Sequence, residues 1–128
     1  MIQTASVIIK NDKGQILSVS RKDDHSDMNL PGGKREPEDT DIIEALRRET
    51  REETGLELHD LELIYEGAFF DGFYEHTYTA TATGEINFDP IKEPHVVKWV
   101  EPEVVMNGSF GAYNEKVLGL IGIKRRTA

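Results

Sequence analysis

PGGKREPEDTDIIEALRRETREETGL, residues 31–56, is the stretch on which the reading of the fold turns. It opens on a glycine pair, Gly32-Gly33, and closes on an acidic segment that runs into Gly55-Leu56. Asp41-Ile42-Ile43-Glu44 carries the N-cap acid and third-position carboxylate of a capping box, with Asp in place of Ser or Thr. Ile42, Ile43, Ala45 and Leu46 then supply an apolar side at helical spacing. Glu44 stands four residues before Arg48, the favourable order for an ion pair. Gly55 occupies the place of the left-handed residue that ends a helix, and Leu56 offers the apolar contact after it. The pattern predicts a helix between Asp41 and Gly55. On it Glu49, Glu52 and Glu53 fall at i, i+3 and i+4 and share one face. Glu52 and Glu53 also lie in the last turn, where the helix dipole disfavours anions. Two readings follow. The face is a solvated acidic surface balanced by Arg47, Arg48 and Arg51, or it is a carboxylate set whose repulsion a divalent cation relieves. All-oxygen ligands of this kind suit Mg²⁺, with Mn²⁺ as the alternative.

The run Arg48-Glu49-Thr50-Arg51-Glu52-Glu53-Thr54-Gly55-Leu56, preceded by Gly32-Gly33, resembles the signature of the Nudix hydrolases. That pattern is G-x5-E-x7-R-E-U-x-E-E-x-G-U, with U an aliphatic residue. The second half matches except at Thr50, which stands in the first aliphatic slot. In the first half, the segment from Gly33 to Arg48 is one residue longer than the pattern, so the first Glu has no direct counterpart. Asp39 is nearest, with Glu38 beside it, and a loop absorbs one inserted residue readily. The resemblance implies that Glu49, Glu52 and Glu53 are metal ligands and that the Gly33 carbonyl adds another. It gives Arg48 a structural role, pairing with a helix carboxylate to hold its orientation. It implies an α+β fold, a mixed sheet packed between helices as an α/β/α sandwich, with residues 1–128 forming one Nudix domain.

Composition is compatible with this. A chain of 128 residues, 38% hydrophobic and 30% charged, suits one soluble domain with one core. No apolar run is long enough to suggest a membrane helix, and the first ten residues lack the regions of a signal peptide. The absence of cysteine excludes disulfides, zinc-thiolate sites and a Cys nucleophile, and fits a cytoplasmic protein. A net charge of −9 argues against nucleic acid as partner. It would also disfavour a phosphorylated small molecule unless bound cations invert the local sign.

Outside the helix, residues 4–9 read as a buried strand and Asn11-Asp12-Lys13-Gly14 as a hairpin turn into a second strand at 15–20. Pro31 requires an extended approach to the glycine pair. Residues 58–70 are strand-like with a break at His59-Asp60. Asp71-Gly72 is a turn signal, and 73–83 and 96–100 are further strands. Residues 112–121 read as a second helix with Val117, Leu118 and Ile121 buried. Lys124-Arg125-Arg126 reads as a solubilising tail.

Further site residues come from the same resemblance. Glu93 stands six residues before Trp99, the offset at which MutT-type members carry a Glu near the metals, and is assigned as ligand or general base; a solvent-exposed loop Glu is the other reading. Asn114 corresponds to an Asn that reads a purine edge, against the alternative of a helix N-cap. Arg21 matches an Arg near the nucleotide, or is a surface Arg. Leu30 lines the base pocket or belongs to the core. Tyr74 is the member of the aromatic set Phe69, Phe70, Phe73, Tyr74 and Tyr78 chosen to stack on a base, the rest being core. The four histidines form no metal-binding spacing, and no nucleophile elbow or P-loop is present. The expected activity is a metal-dependent pyrophosphohydrolase, with Glu52 or Glu53 as base by motif and Glu93 as the alternative. The expected substrate is a purine nucleoside triphosphate, giving monophosphate and pyrophosphate. Dinucleoside polyphosphates, nucleotide sugars and a non-catalytic binding module are the alternatives. No membrane partner is expected, and the chain is expected as a monomer or homodimer.

Overall fold

A computed structural model describes residues 1–126. The first turn forms as its sequence predicts. Asn11 Oδ1 accepts from the backbone N–H of Lys13 and Gln15, and Gly14 takes a φ of +76°. It connects β1 (Ile2–Ile8) to β2 (Ile16–Ser20), which touch only at the base of the turn and then part into different sheets. β3 (Met28–Asn29) and β4 (Gly32–Lys34) follow, then helix α1 (Ile42–Thr54), β5 (Glu57–Ala68), β6 (Phe73–Thr83) and β7 (Val97–Val100). The expected mixed sheet is present as β4-β1-β6-β5, in which only the β1–β6 pair is parallel. A second, antiparallel sheet, β3-β2-β7, was not expected. Two- and three-residue strands such as β3 and β4 are too short to leave a period-2 signature.

Helix α1 ends as predicted. Asp41 accepts from the Glu44 N–H at 2.7 Å, and Gly55 adopts a left-handed φ of 81° while its N–H reaches the Arg51 carbonyl. The capping box is not reciprocal, because the Glu44 carboxylate takes a hydrogen bond from Thr40 instead. The break expected at His59-Asp60 is a bulge within a continuous β5: Asp60 has a φ of +55° and the register against β6 shifts there. The Asp71-Gly72 turn closes with Gly72 at +85° and the Phe73 N–H on the Phe70 carbonyl.

Two short helices complete the chain, α2 (Pro102–Met106) and α3 (Gly111–Leu120). The core divides accordingly. Ala5, Val7, Ile9, Leu17, Leu46, Leu56, Leu58 and Tyr78 pack under α1. Ile8, Ile16, Met28, Leu30, Val105, Met106, Val117 and Leu118 pack beneath α2 and α3. Alternation along β1 sends successive side chains to opposite faces, so this strand serves both halves of an α/β/α sandwich. The basic tail is a correction. Arg125 holds Glu115 at 2.8 Å and caps α2 through Asn107 and the Met106 carbonyl. Arg126 pairs with Glu103 and Glu101. Two of the three expected solubilising charges therefore clamp the end of the chain onto α2 and α3.

Candidate active site

The site is built where α1 lies against β4. Gly32 has a φ of +152°, and a Cβ there would collide with the Ala5 carbonyl of the neighbouring strand. Its N–H donates to Glu53 Oε1 at 2.9 Å. At Gly33 a Cβ would stand 2.5 Å from Glu49 Cδ. The two glycines let the strand come so close that the carboxylates of one helix rest on its backbone.

The expected trio divides. Glu49 and Glu53, one turn apart, face β4. Glu52 is half exposed at the rim and is held there by Arg48 at 3.3 Å. The third carboxylate approaching Glu53 is Glu93, delivered by the loop before β7. A turn in which the Glu93 N–H reaches the Asp89 carbonyl presents it, and it pairs with Lys22 at 3.3 Å. Burial pushes the Glu53 carboxyl well above its ordinary pKa, and the charges of Glu49 and Glu93 push further, against the pull of the Gly32 N–H. Burial also raises Glu49, partly offset by Arg48. Among the described residues no three such side chains are gathered into a ready-made metal cage. The chemistry of the donors nevertheless fits a hard divalent cation: clustered carboxylates of unfavourable charge, beside two glycines whose backbone they can approach, with Lys22 and Arg48 as the neighbouring cations.

Arg48 organises this helix. It grips Asp39 in a two-pronged pair, both contacts at 3.0 Å, and also reaches Glu49 and the Lys34 carbonyl. Asp39 is only 4% exposed and accepts the Glu36 N–H as well, and the guanidinium holds its carboxyl at about 2. The shifted acid before the helix thus reaches the arginine despite the longer loop. Glu38 is exposed.

On the other side of β4 lies a cavity of about 350 Å³. Phe69, Phe70, Phe73, Phe110 and Tyr113 supply its aromatic walls, and Asn29, Leu30, Asn114, Thr4, Ser6 and Glu75 line it too. Leu30 is therefore both core and lining. Asn114 is no N-cap: it lies inside α3, fully buried, and both its amide hydrogens are donated, to Asn29 Oδ1 and the Val105 carbonyl. Tyr74 is not among the walls and packs edge-on against His76. Strand alternation explains it, since Phe73 and Glu75 point into the cavity and the residue between them points away. Arg21 sits half exposed in a fork with Asp23 on the surface, away from the cavity lining.

Sequence reasoning missed His95. Its Nε2–H donates to the Glu53 carbonyl at 2.8 Å, its ring stacks on Phe88, and its Nδ1 lies 3.6 Å from Glu93. It ties the end of α1 to the loop carrying Glu93. Its place two residues after Glu93 was the one available signal.

The fold has close relatives among solved structures. A MutT structure described in work on Aliivibrio salmonicida and Vibrio cholerae superposes with a TM-score of 0.73 at 23% identity, covering 94% of this chain and 95% of that one. The E. coli ORF135 protein gives 0.69 at 25%, covering 95% and 91%. An ADP-ribose pyrophosphatase from Streptococcus suis gives 0.74 at 18%, covering 93% and 87%. Among curated proteins none matches the sequence significantly. The family model for the NUDIX domain matches residues 2–118, which take in the glycine pair, the carboxylate helix and the aromatic cavity together. The chain therefore belongs to the Nudix family and is a hydrolase of phosphoric anhydride bonds.

Proposed function

We propose that this protein is a Mg²⁺-dependent pyrophosphohydrolase that cleaves a purine nucleoside triphosphate to the monophosphate and pyrophosphate. The observation that carries the reading is the position of β4. Its glycines support Glu49 and Glu53, while Gly32, Gly33 and Lys34 line the aromatic cavity. A flat, apolar-faced base in that cavity would have its phosphates led past the strand to the carboxylates. Glu49 and Glu53 would hold the cation, with the Gly33 carbonyl and the rim residue Glu52 beside them. A bound Mg²⁺, or Mn²⁺ in its place, supplies neutralisation of the phosphate charge and acidifies the attacking water. Glu53, or Glu93 from the neighbouring loop, would take the proton of the attacking water. His95 keeps them in register, and Arg48 prevents Glu49 from turning out to solvent. Hydrolysis needs no covalent intermediate and no nucleophilic side chain. A cysteine-free chain of this kind suits the cytoplasm, where nucleoside triphosphates are abundant.

The test is a panel of purine and pyrimidine triphosphates, dinucleoside polyphosphates, ADP-ribose and nucleotide sugars, with Mg²⁺ and with chelator. The expected outcome is Mg²⁺-dependent release of pyrophosphate, fastest from a purine triphosphate. Faster cleavage of ADP-ribose or a dinucleoside polyphosphate would replace the substrate assignment, and inactivity on every compound would sink the enzyme.

A further inference from the structure

Glu75 is the one acidic side chain in the cavity, and it is 7% exposed. Its Oε2 accepts from Thr4 Oγ1 at 2.5 Å. Its Oε1 is buried and has no hydrogen-bond partner among the described residues. No Lys or Arg pairs with it among them either; Lys34 lines the same cavity but rests over the Phe73 ring. Buried carboxylates that serve only the fold ordinarily have both oxygens satisfied. The hydroxyls around Glu75 suit an acceptor. Tyr113 and Thr77 share a hydrogen bond at 2.5 Å, and Thr77 and Ser6 share another at 2.9 Å. With Tyr113 donating first, each proton in that series points on towards Ser6 beside Glu75; burial raises the Glu75 carboxyl above its ordinary pKa, and the Thr4 and Ser6 hydroxyls pull it back. The neighbouring amide agrees: Asn114 has spent both hydrogens on the protein, so it can offer a ligand only its oxygen. Glu75 and Asn114 thus each present an acceptor oxygen in the cavity lining.

We propose that Glu75 is a specificity-determining residue: its carboxylate accepts hydrogen bonds from two adjacent N–H donors on the edge of a base held between the cavity's aromatic rings. Guanine offers such an edge, a ring N–H beside an amino group. Adenine presents a ring acceptor at the corresponding place and would set lone pair against lone pair. The proposal rests on the nucleotide-hydrolase reading and deepens it from purine to guanine type.

The experiment compares kcat/KM for GTP, ITP, N1-methyl-GTP and ATP with Mg²⁺, in wild type and Glu75→Gln. Wild type is expected to favour GTP over ATP by roughly ten- to a hundredfold, the discrimination one good two-point base contact gives. ITP, lacking the amino group, and the methylated analogue, lacking the ring N–H, should each lose about tenfold against GTP. In Glu75→Gln, whose amide offers one donor and one acceptor, the GTP-to-ATP ratio should fall by about tenfold or more. An unchanged ratio in a folded variant overturns the proposal. Equal use of GTP and its two analogues by wild type overturns it without any variant. If wild type cleaves no nucleotide, calorimetric binding of GMP and AMP separates the two ideas. Selective GMP binding lost in Glu75→Gln keeps this proposal while the catalytic reading falls, and unselective or absent binding sinks it.

Discussion

The two sides of strand β4 are made in opposite ways. On one, a ridge of carboxylates comes almost entirely from one helix, and its members repel each other. On the other, an aromatic cavity takes its walls from segments around residues 4–6, 29–34, 69–75 and 110–114. The ridge is local in sequence and unfavourable in charge. The cavity is long-range and favourable in packing, with rings meeting at centroid distances such as 4.5 Å for Phe69 and Tyr113. The proposed function places chemistry where the fold is electrostatically uneasy and recognition where it is comfortably apolar. Gly32 and Gly33 join them because only residues without a side chain allow both neighbours to come so near.

The contrast can be broken most severely at Glu53. Glu53→Gln should lower kcat by about 10²–10⁴-fold, the range a positioned carboxylate contributes, while circular dichroism and the thermal midpoint stay close to wild type or rise. A midpoint that falls by many degrees with activity intact would mean that the ridge serves the fold. The glycine pair sharpens the division next. Gly33→Ala meets the Glu49 side chain first, not backbone, so it should cost about ten- to a hundredfold in activity with little change in melting temperature. Gly32→Ala meets backbone at a positive φ and should lower the melting temperature markedly. On the cavity side, Phe110→Ala should raise KM about tenfold, equivalent to ~1.4 kcal/mol of binding, and leave the fold's midpoint nearly unmoved.

Smaller effects test the support of the ridge. Asp39 has a pKa near 2 in the folded protein against an ordinary 3.8, because of Arg48. A depressed carboxylate stabilises the native state above its unfolded pKa and loses that contribution as pH falls through the folded one. Urea midpoints of wild type and Asp39→Asn should therefore differ most above about pH 5 and converge towards about pH 2. Thr50 gives the smallest and most unusual expectation. It is fully buried on the core side of α1, and its hydroxyl has no partner among the described residues. Thr50→Val should stabilise the protein by about 1 kcal/mol, read as a higher urea midpoint, because an unpaired buried hydroxyl is costly.

The helix that carries the ridge was legible in the sequence because every signal in it is local. Asp41, Gly55 and the apolar stripe around Leu46 act within a turn or two, and the carboxylates follow from the 3.6-residue period. Whether those carboxylates act together was not legible. Glu52 lies one residue from Glu53 in the chain, yet turns to Arg48 and solvent, while Glu93 arrives from forty residues away. The same limit applies to Tyr74 and Glu75. Adjacent residues of a strand face opposite ways, and only the pairing of β6 with β1 says which of them meets the cavity.

By itself, then, the amino-acid order determined the capped helix, its acidic face, the turns at Asn11 and Asp71, and the family signature. Those depend on contacts between near neighbours, whose chemistry is written in adjacent letters. The tertiary structure alone decided that Asp39 reaches Arg48, that His95 locks Glu53 to the Glu93 loop, and that Glu75 lies among phenylalanines with an oxygen unpaired. These depend on which distant strands lie side by side, and that is settled by the packing of the whole core.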